Sequence, residues 1–178
     1  MNKKDLATRI ASTSILHGDF TLRSGRKSTW YIDKYLFTTK PDILRELGIL
    51  FATKIPEETT LLAGAELGGI PLVTTAAMAT NLPCIFIRNQ KKDYGTAQQL
   101  EGLLQPEDRV VIVEDIATTG GQVLEAAQTI QLLGATVVCI IAVIDRCEGA
   151  RENVEGAGFV FDSLFTTADL GITEVSQQ

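Results

Sequence analysis

Apolar β-prone runs that alternate with stretches of helical periodicity predict an α/β fold, a parallel sheet flanked by helices, behind a small N-terminal hood of one helix and one hairpin. Three observations carry this. The runs "TLLAGA", "PCIFIR" and "VVCIIAVI" are apolar throughout rather than alternating, as strands covered on both faces are. Each is separated from the next by a helix-length segment or more. Glycine-rich turns follow two of the strands, where a parallel sheet turns into a helix.

Taken in order, residues 5–16 place Leu6, Ile10 and Ile15 at helical spacing, and "HGDF" breaks that pattern. His17, before Gly18 and Asp19, reads as a helix C-terminal cap. "FTLRSGRKSTWYID", 20–33, sets two β-prone runs about a Ser-Gly turn, a hairpin with a basic tip. Helices follow at about 41–54 and 69–80, with strands at 60–65 and 83–88. Beyond a long polar interval come strand 109–114, helix 120–133, strand 136–144, a polar helix in "EGARENVEGAG", the strand "FVFDSLF" and a final turn. The interval "NQKKDYGTAQQLEGLLQPED", 89–108, is too long for an ordinary connection and reads as a binding loop or lid. Within 178 residues there is room for one sizeable core, so a single domain is expected, with 1–38 as the hood and 89–102 as a mobile loop.

A formal charge of −6 excludes a global positive field for nucleic acid or an anionic membrane, so any bound anion must be met locally. Cys84, Cys139 and Cys147 are odd in number and lack metal or disulfide spacing, which points to a reducing cytoplasm. With a single histidine, a protein-built metal site is not expected. The N-terminal stretch has no apolar core of signal-peptide type, and "VVCIIAVI" is too short to span a bilayer, so a soluble, unprocessed protein is expected.

The string "VVIVEDIATTGGQ", 110–122, joins a buried strand to two acids, two hydroxyls and two glycines. At the carboxyl end of a parallel strand, a turn with few side chains presents backbone N–H groups and a helix N-terminus, a seat for a phosphate monoester. Glu114 and Asp115 would repel that phosphate, but they suit the hydroxyls of a ribose. The residues therefore ask for a sugar phosphate: phosphate on Ala117, Thr118, Thr119, Gly120, Gly121 and Gln122, diol on the acids. The plainer alternative is an ordinary capped turn. The order of all thirteen residues favours the ligand.

The same string resembles the phosphoribosyl diphosphate signature of the type I phosphoribosyltransferases, departing at Ala117 and Gln122. "FTLRSGRKSTWYID", "RNQKKDYGTAQQLEG" and "IDRCEG" are similar, in that order, to the hairpin, catalytic loop and base-binding segment of the orotate phosphoribosyltransferases. That resemblance implies a type I phosphoribosyltransferase-like sheet. It also implies transfer of phosphoribosyl from phosphoribosyl diphosphate to orotate with Mg²⁺, and a homodimer whose loops close over each other's sites.

By the resemblance, Arg88 and Lys92 grip the diphosphate from the partner subunit and act with Asp115 in catalysis, Tyr94 lies in the same loop, and Lys91 has no fixed role. Arg146 would take the orotate carboxylate, as a guanidinium fork suits two parallel hydrogen bonds; the competing reading pairs it with a neighbouring acid. Arg23, Tyr31, Ile32 and Thr118 complete the orotate side, though core packing competes for Tyr31 and Trp30. "AGAELGGIP", 63–71, resembles the diphosphate loop, where Gly68 stands at a position often held by lysine, leaving more of the binding to backbone amides. Asn89 and Tyr94 likewise replace a basic residue and a histidine. Two other readings stay open: a phosphoribosyltransferase for another base, and a phosphoribosyl diphosphate-binding regulator with little turnover. The acidic balance opposes a nucleic-acid-binding regulator.

Overall fold

The computed structural model describes residues 1–21, 25, 27–88 and 99–172. The hood is helix α1 (Lys3–Ser14), hairpin β1 (Ile15–Thr21) and β2 (Lys27–Ile32), and one short helix, α2 (Lys34–Thr38). Asn2 starts α1 by accepting the Asp5 N–H at 2.8 Å. That capping moves the helix two residues earlier than periodicity alone placed it.

The expected end of this helix needs correction. His17 does not cap α1; it lies within β1, opposite Trp30. The chain turns extended at Ile15, and pairing with β2 captures the whole "ILHGDFT" segment as strand. Along β2 burial alternates: Trp30 and Ile32 are buried while Tyr31 is exposed. Core packing therefore accounts for Trp30 and the Ile32 side chain, and not for Tyr31.

The main sheet has the order β5-β4-β3-β6-β7-β8, with β3 (Leu61–Ala65), β4 (Cys84–Ile87), β6 (Arg109–Ala117), β7 (Thr136–Asp145) and β8 (Phe161–Thr166) parallel. The edge strand β5 (Leu100–Glu101) is antiparallel to β4 and was not foreseen in the polar interval. Two residues carry no period that a sequence could display.

Both faces are covered, as the unbroken apolar strands require. On one face α1, α3 (Pro41–Ala52) and α4 (Gly69–Thr80) pack over Leu62, Val111, Val113, Ile141 and Val143. On the other, α5 (Gly121–Leu132) and α6 (Ala150–Gly156) pack over Ala63, Val110, Ile112, Ile140 and Ala142. Helix α5 buries Val123, Ala126, Ala127 and Ile130, one stripe at helical spacing. Among the described residues no helix is long and apolar enough to cross a membrane.

The chain builds leftward from β3 to β4, then returns to add β6, β7 and β8 on the other side. The direction reverses between β3 and β6, and a crevice opens at their carboxyl ends.

Candidate active site

Two turns flank that crevice. One, 66–68, leaves β3; the other, 118–120, leaves β6. Strand β6 continues beyond the acids to Ala117, because β7 pairs with it as far as Ala117 opposite Asp145. Glu114 and Asp115 are thus buried residues of the strand itself, at 8% and 3% exposure.

The second turn has few side chains and lies at the start of α5. Gly120 has φ 79°, a left-handed conformation that favours glycine, and a Cβ there would meet Val154 Cγ2 at 2.9 Å. Gly121 faces open space, its nearest neighbour Thr119 Oγ1 at 4.0 Å from an added Cβ. Asn153 of α6 donates through Nδ2 to the Thr119 carbonyl at 2.9 Å and ties the turn down. A cavity of about 450 Å³ lies here, lined by Glu114, Thr118, Thr119, Gly120, Gly121 and Gln122 among others.

The first turn is built from distant parts. Gly64 and Gly69 lie so close that a Cβ on Gly64 would come within 2.6 Å of the Gly69 carbonyl, which seats α4 directly on β3. A Cβ on Gly68 would overlap Asp115 Oδ2 and lie 3.3 Å from Lys34 Cδ. Lys34 Nζ is 2.8 Å from Asp115 Oδ2. The Ile116 N–H donates to the other oxygen, Oδ1, at 2.6 Å. Glu114 therefore lines this cavity while Asp115 is turned toward Gly68 and Lys34.

The electrostatics follow from this division. Burial, reinforced by the neighbouring Asp115 charge and only partly offset by Lys34, pushes Glu114 up to about 8. Its Oε2 is buried without a hydrogen-bond partner. Burial works against the charge of Lys34, but the Asp115 charge and hydrogen bond outweigh it and raise its pKa.

Arg146 begins beside the 118–120 turn, since its N–H donates to the Ala117 carbonyl at 2.9 Å. The competing reading of this residue has substance: Nε and Nη2 reach Glu148 Oε1 at 2.9 and 2.8 Å. The guanidinium also lies over the Trp30 ring, 4.8 Å from its centroid. Only Nε makes a hydrogen bond to Glu148, while Nη2 is buried without one, so Glu148 and Trp30 orient the fork and leave donors over.

Arg88, at the end of β4, lies 3.6 Å through Nη1 from Glu101 Oε1 and keeps a buried Nε without a hydrogen bond. Arg23, Asn89, Lys91, Lys92 and Tyr94 lie outside the described residues. The structure brings Glu114, Asp115, 117–122 and Arg146 to one end of the sheet, and it adds Lys34, Trp30 and Glu148, which sequence reasoning did not assign to the site. The Asp-Lys pair at 33–34, a capping residue followed by a cation, was the one local signal for Lys34. Among the described residues no three His, Cys, Asp or Glu side chains gather as a metal cage.

A switch-point crevice with an acid pair on one strand end and a glycine-rich helix start beyond it defines a phosphoribosyltransferase, and the phosphoribosyl transferase domain model matches residues 39–175. The orotate phosphoribosyltransferase of Natronomonas pharaonis is 42% identical over 157 residues, 88% of this chain and 90% of that protein. Orotate phosphoribosyltransferase of Mycobacterium tuberculosis in complex with Fe(III) dicitrate superposes with a TM-score of 0.86 at 30% identity, covering 96% of this chain and 99% of the other. The same enzyme in complex with 5-phospho-α-D-ribosyl 1-diphosphate gives a TM-score of 0.81 at 29% identity over 96% and 99% of the chains. The chain belongs to the orotate phosphoribosyltransferase family.

Proposed function

We propose that this enzyme transfers the phosphoribosyl group from phosphoribosyl diphosphate to orotate, giving orotidine 5′-monophosphate and diphosphate on the route to UMP. One observation carries the reading. The buried acid pair, the glycine-containing turn 118–121 and Arg146 lie together at the end of β6, which supports a crevice that takes a sugar, its phosphate and a base carboxylate. The phosphate would take the N-terminus of α5, and the ribose hydroxyls would lie against Glu114 and Asp115. Glu114 Oε2, buried and unpartnered, is an acceptor waiting for such a hydroxyl.

Departure of diphosphate leaves positive charge on the ribose, which the adjacent Asp115 carboxylate stabilises, and negative charge on the leaving group, which cations must meet. Arg88 and Lys92 are the proposed loop cations, acting from the partner subunit of a homodimer; Tyr94 accompanies them. Closure of the loop would exclude water from a sugar cation that hydrolyses readily. Orotate would lie between the Arg146 fork and the hairpin, framed by Arg23, Tyr31, Ile32 and Thr118.

Mg²⁺ fits this site as an ion brought in by the substrate, since the acid pair is a hard oxygen donor set of which Lys34 already holds one member. When bound it neutralises diphosphate charge. The reaction is placed in the cytoplasm, consistent with three free thiols, one of them exposed.

The test is a spectrophotometric assay of orotate consumption that requires both phosphoribosyl diphosphate and Mg²⁺, run beside uracil and purine bases. Turnover of another base with orotate inert would transfer the assignment to that base. In the same assay Lys92→Ala is expected to lower turnover by roughly two orders of magnitude or more with the fold intact, because the lost contact forms as the leaving group gains charge. Wild-type turnover in that variant would remove Lys92 from the mechanism.

A further inference from the structure

We infer that Lys34 is a further substrate-binding residue, one that holds the diphosphate end of phosphoribosyl diphosphate at the point where Asp115, Gly68 and its own side chain meet. The inference rests on the sugar-phosphate reading above and extends it to a residue of the N-terminal hood.

The backbone at Lys34 is firmly placed. The Asp33 N–H donates to the Ser14 carbonyl at 2.9 Å, tying α2 to the end of α1, and the Asp33 side chain accepts the Tyr35 N–H at 3.0 Å as the cap of α2. From there the side chain runs across the 66–68 turn, its Cδ 3.3 Å from where a Gly68 Cβ would stand. Its ammonium ends 2.8 Å from Asp115 Oδ2, and the side chain is about a third exposed, at 30%. It is neither a buried structural pair nor a free surface cation. It faces the crevice at the switch point.

Ligand chemistry assigns the rest. In phosphoribosyl diphosphate the 5-phosphate and the 1-diphosphate leave opposite sides of the ribose. With the 5-phosphate on the amides of 118–121 and the hydroxyls against the acid pair, the diphosphate is directed to the other wall of the crevice, the 66–68 turn. That turn, "ELG", supplies no cation of its own. Lys34 supplies it from more than thirty residues earlier in the chain. An ammonium carries three donors on a flexible stem, so when a ribose hydroxyl takes up the Asp115 oxygen the same group can reach a diphosphate oxygen without backbone movement. Gly68 has a steric reason in the same arrangement: any side chain there would displace the Asp115 carboxylate and crowd the Lys34 stem.

Calorimetric titration of the full chain with phosphoribosyl diphosphate, inorganic diphosphate and ribose 5-phosphate tests this in the wild type, Lys34→Met, Lys34→Gln and Lys34→Arg. Lys34→Met and Lys34→Gln are expected to weaken both diphosphate ligands roughly 10- to 100-fold, the scale of one lost charge-assisted hydrogen bond, and ribose 5-phosphate by less than about threefold. Lys34→Arg is expected to restore most of the difference. Equal weakening of all three ligands would overturn the inference, because Lys34 would then act only by positioning Asp115. Unchanged diphosphate affinity would overturn it too. The glutamine variant, which keeps a donor to Asp115, decides the matter if the methionine variant does not fold. A wild type that binds none of the three ligands would instead defeat the sugar-phosphate reading itself, which separates the two failures.

Discussion

The two turns that flank the switch point are built by opposite means. The turn after β6 is made from consecutive residues: a glycine at φ 79°, open space beside Gly121 and the start of a twelve-residue helix. The turn after β3 depends on convergence, with Gly68 leaving room for a carboxylate from β6 and a lysine stem from the hood. A phosphate seat needs only backbone donors in sequence, whereas a place for a second, more highly charged group needs side chains that no short string supplies. Glu114 belongs to the first wall and Asp115 to the second, so adjacent residues on one strand connect the two.

A single methyl group should separate these constructions most sharply. Gly68→Ala is expected to lower kcat/KM on the order of 100-fold or more, because the Cβ overlaps Asp115 Oδ2 and the carboxylate must move. Steady-state kinetics beside a melting curve would check it; an alanine variant with native kinetics would mean that the second wall has slack.

The acid on the first wall should announce itself through stability. Glu114, held at about 8 against an ordinary 4.5, binds a proton in the folded state that the unfolded chain releases at lower pH. Its contribution is therefore complete below about 4.5 and is lost as pH rises through about 8. Relative to Glu114→Gln, the wild type is expected to lose up to roughly 1.4 kcal/mol per pH unit across that window, with parallel curves outside it. Urea unfolding at a series of pH values measures the difference, and parallel curves throughout would show that Glu114 is not held neutral.

The smallest effect is expected at Asn153→Ala. It removes the hydrogen bond to Thr119 and should cost about 1 kcal/mol of stability, while phosphoribosyl diphosphate affinity changes less than about threefold. A larger loss of affinity would show that the phosphate turn depends on α6 and is not self-contained.

Legibility followed the same division. The thirteen residues 110–122 disclosed a strand, a turn and a helix start through local backbone preference, while pairing with β7 carries the strand three residues past 114, where the residues alone end it. Helix 69–80 was readable to the residue for the same reason. Strand β5 and helix α2, of two and five residues, were not: segments so short carry no period, and tertiary packing decides them. His17 misled because "HGD" has the residues of a helix end, while strand pairing with Trp30 prevailed. Arg146 stands just after a strand, as its position in the sequence indicates, and its ion pair with Glu148, two residues on, is local; its seat over Trp30 depends on the hairpin returning across the sheet end.

By itself, then, the amino-acid order determined an α/β sheet covered on both faces, the glycine-rich turn after β6 and the identity of the acids, since hydrophobic period and glycine conformation act within a few residues. Tertiary structure alone decided that β3 and β6 would be neighbours at a reversal of strand order, that Asp115 would meet Lys34 over Gly68, and that Glu114 would be dehydrated enough to hold its proton. Those outcomes depend on distances between remote segments and on exclusion of water, which are set by how the layers pack.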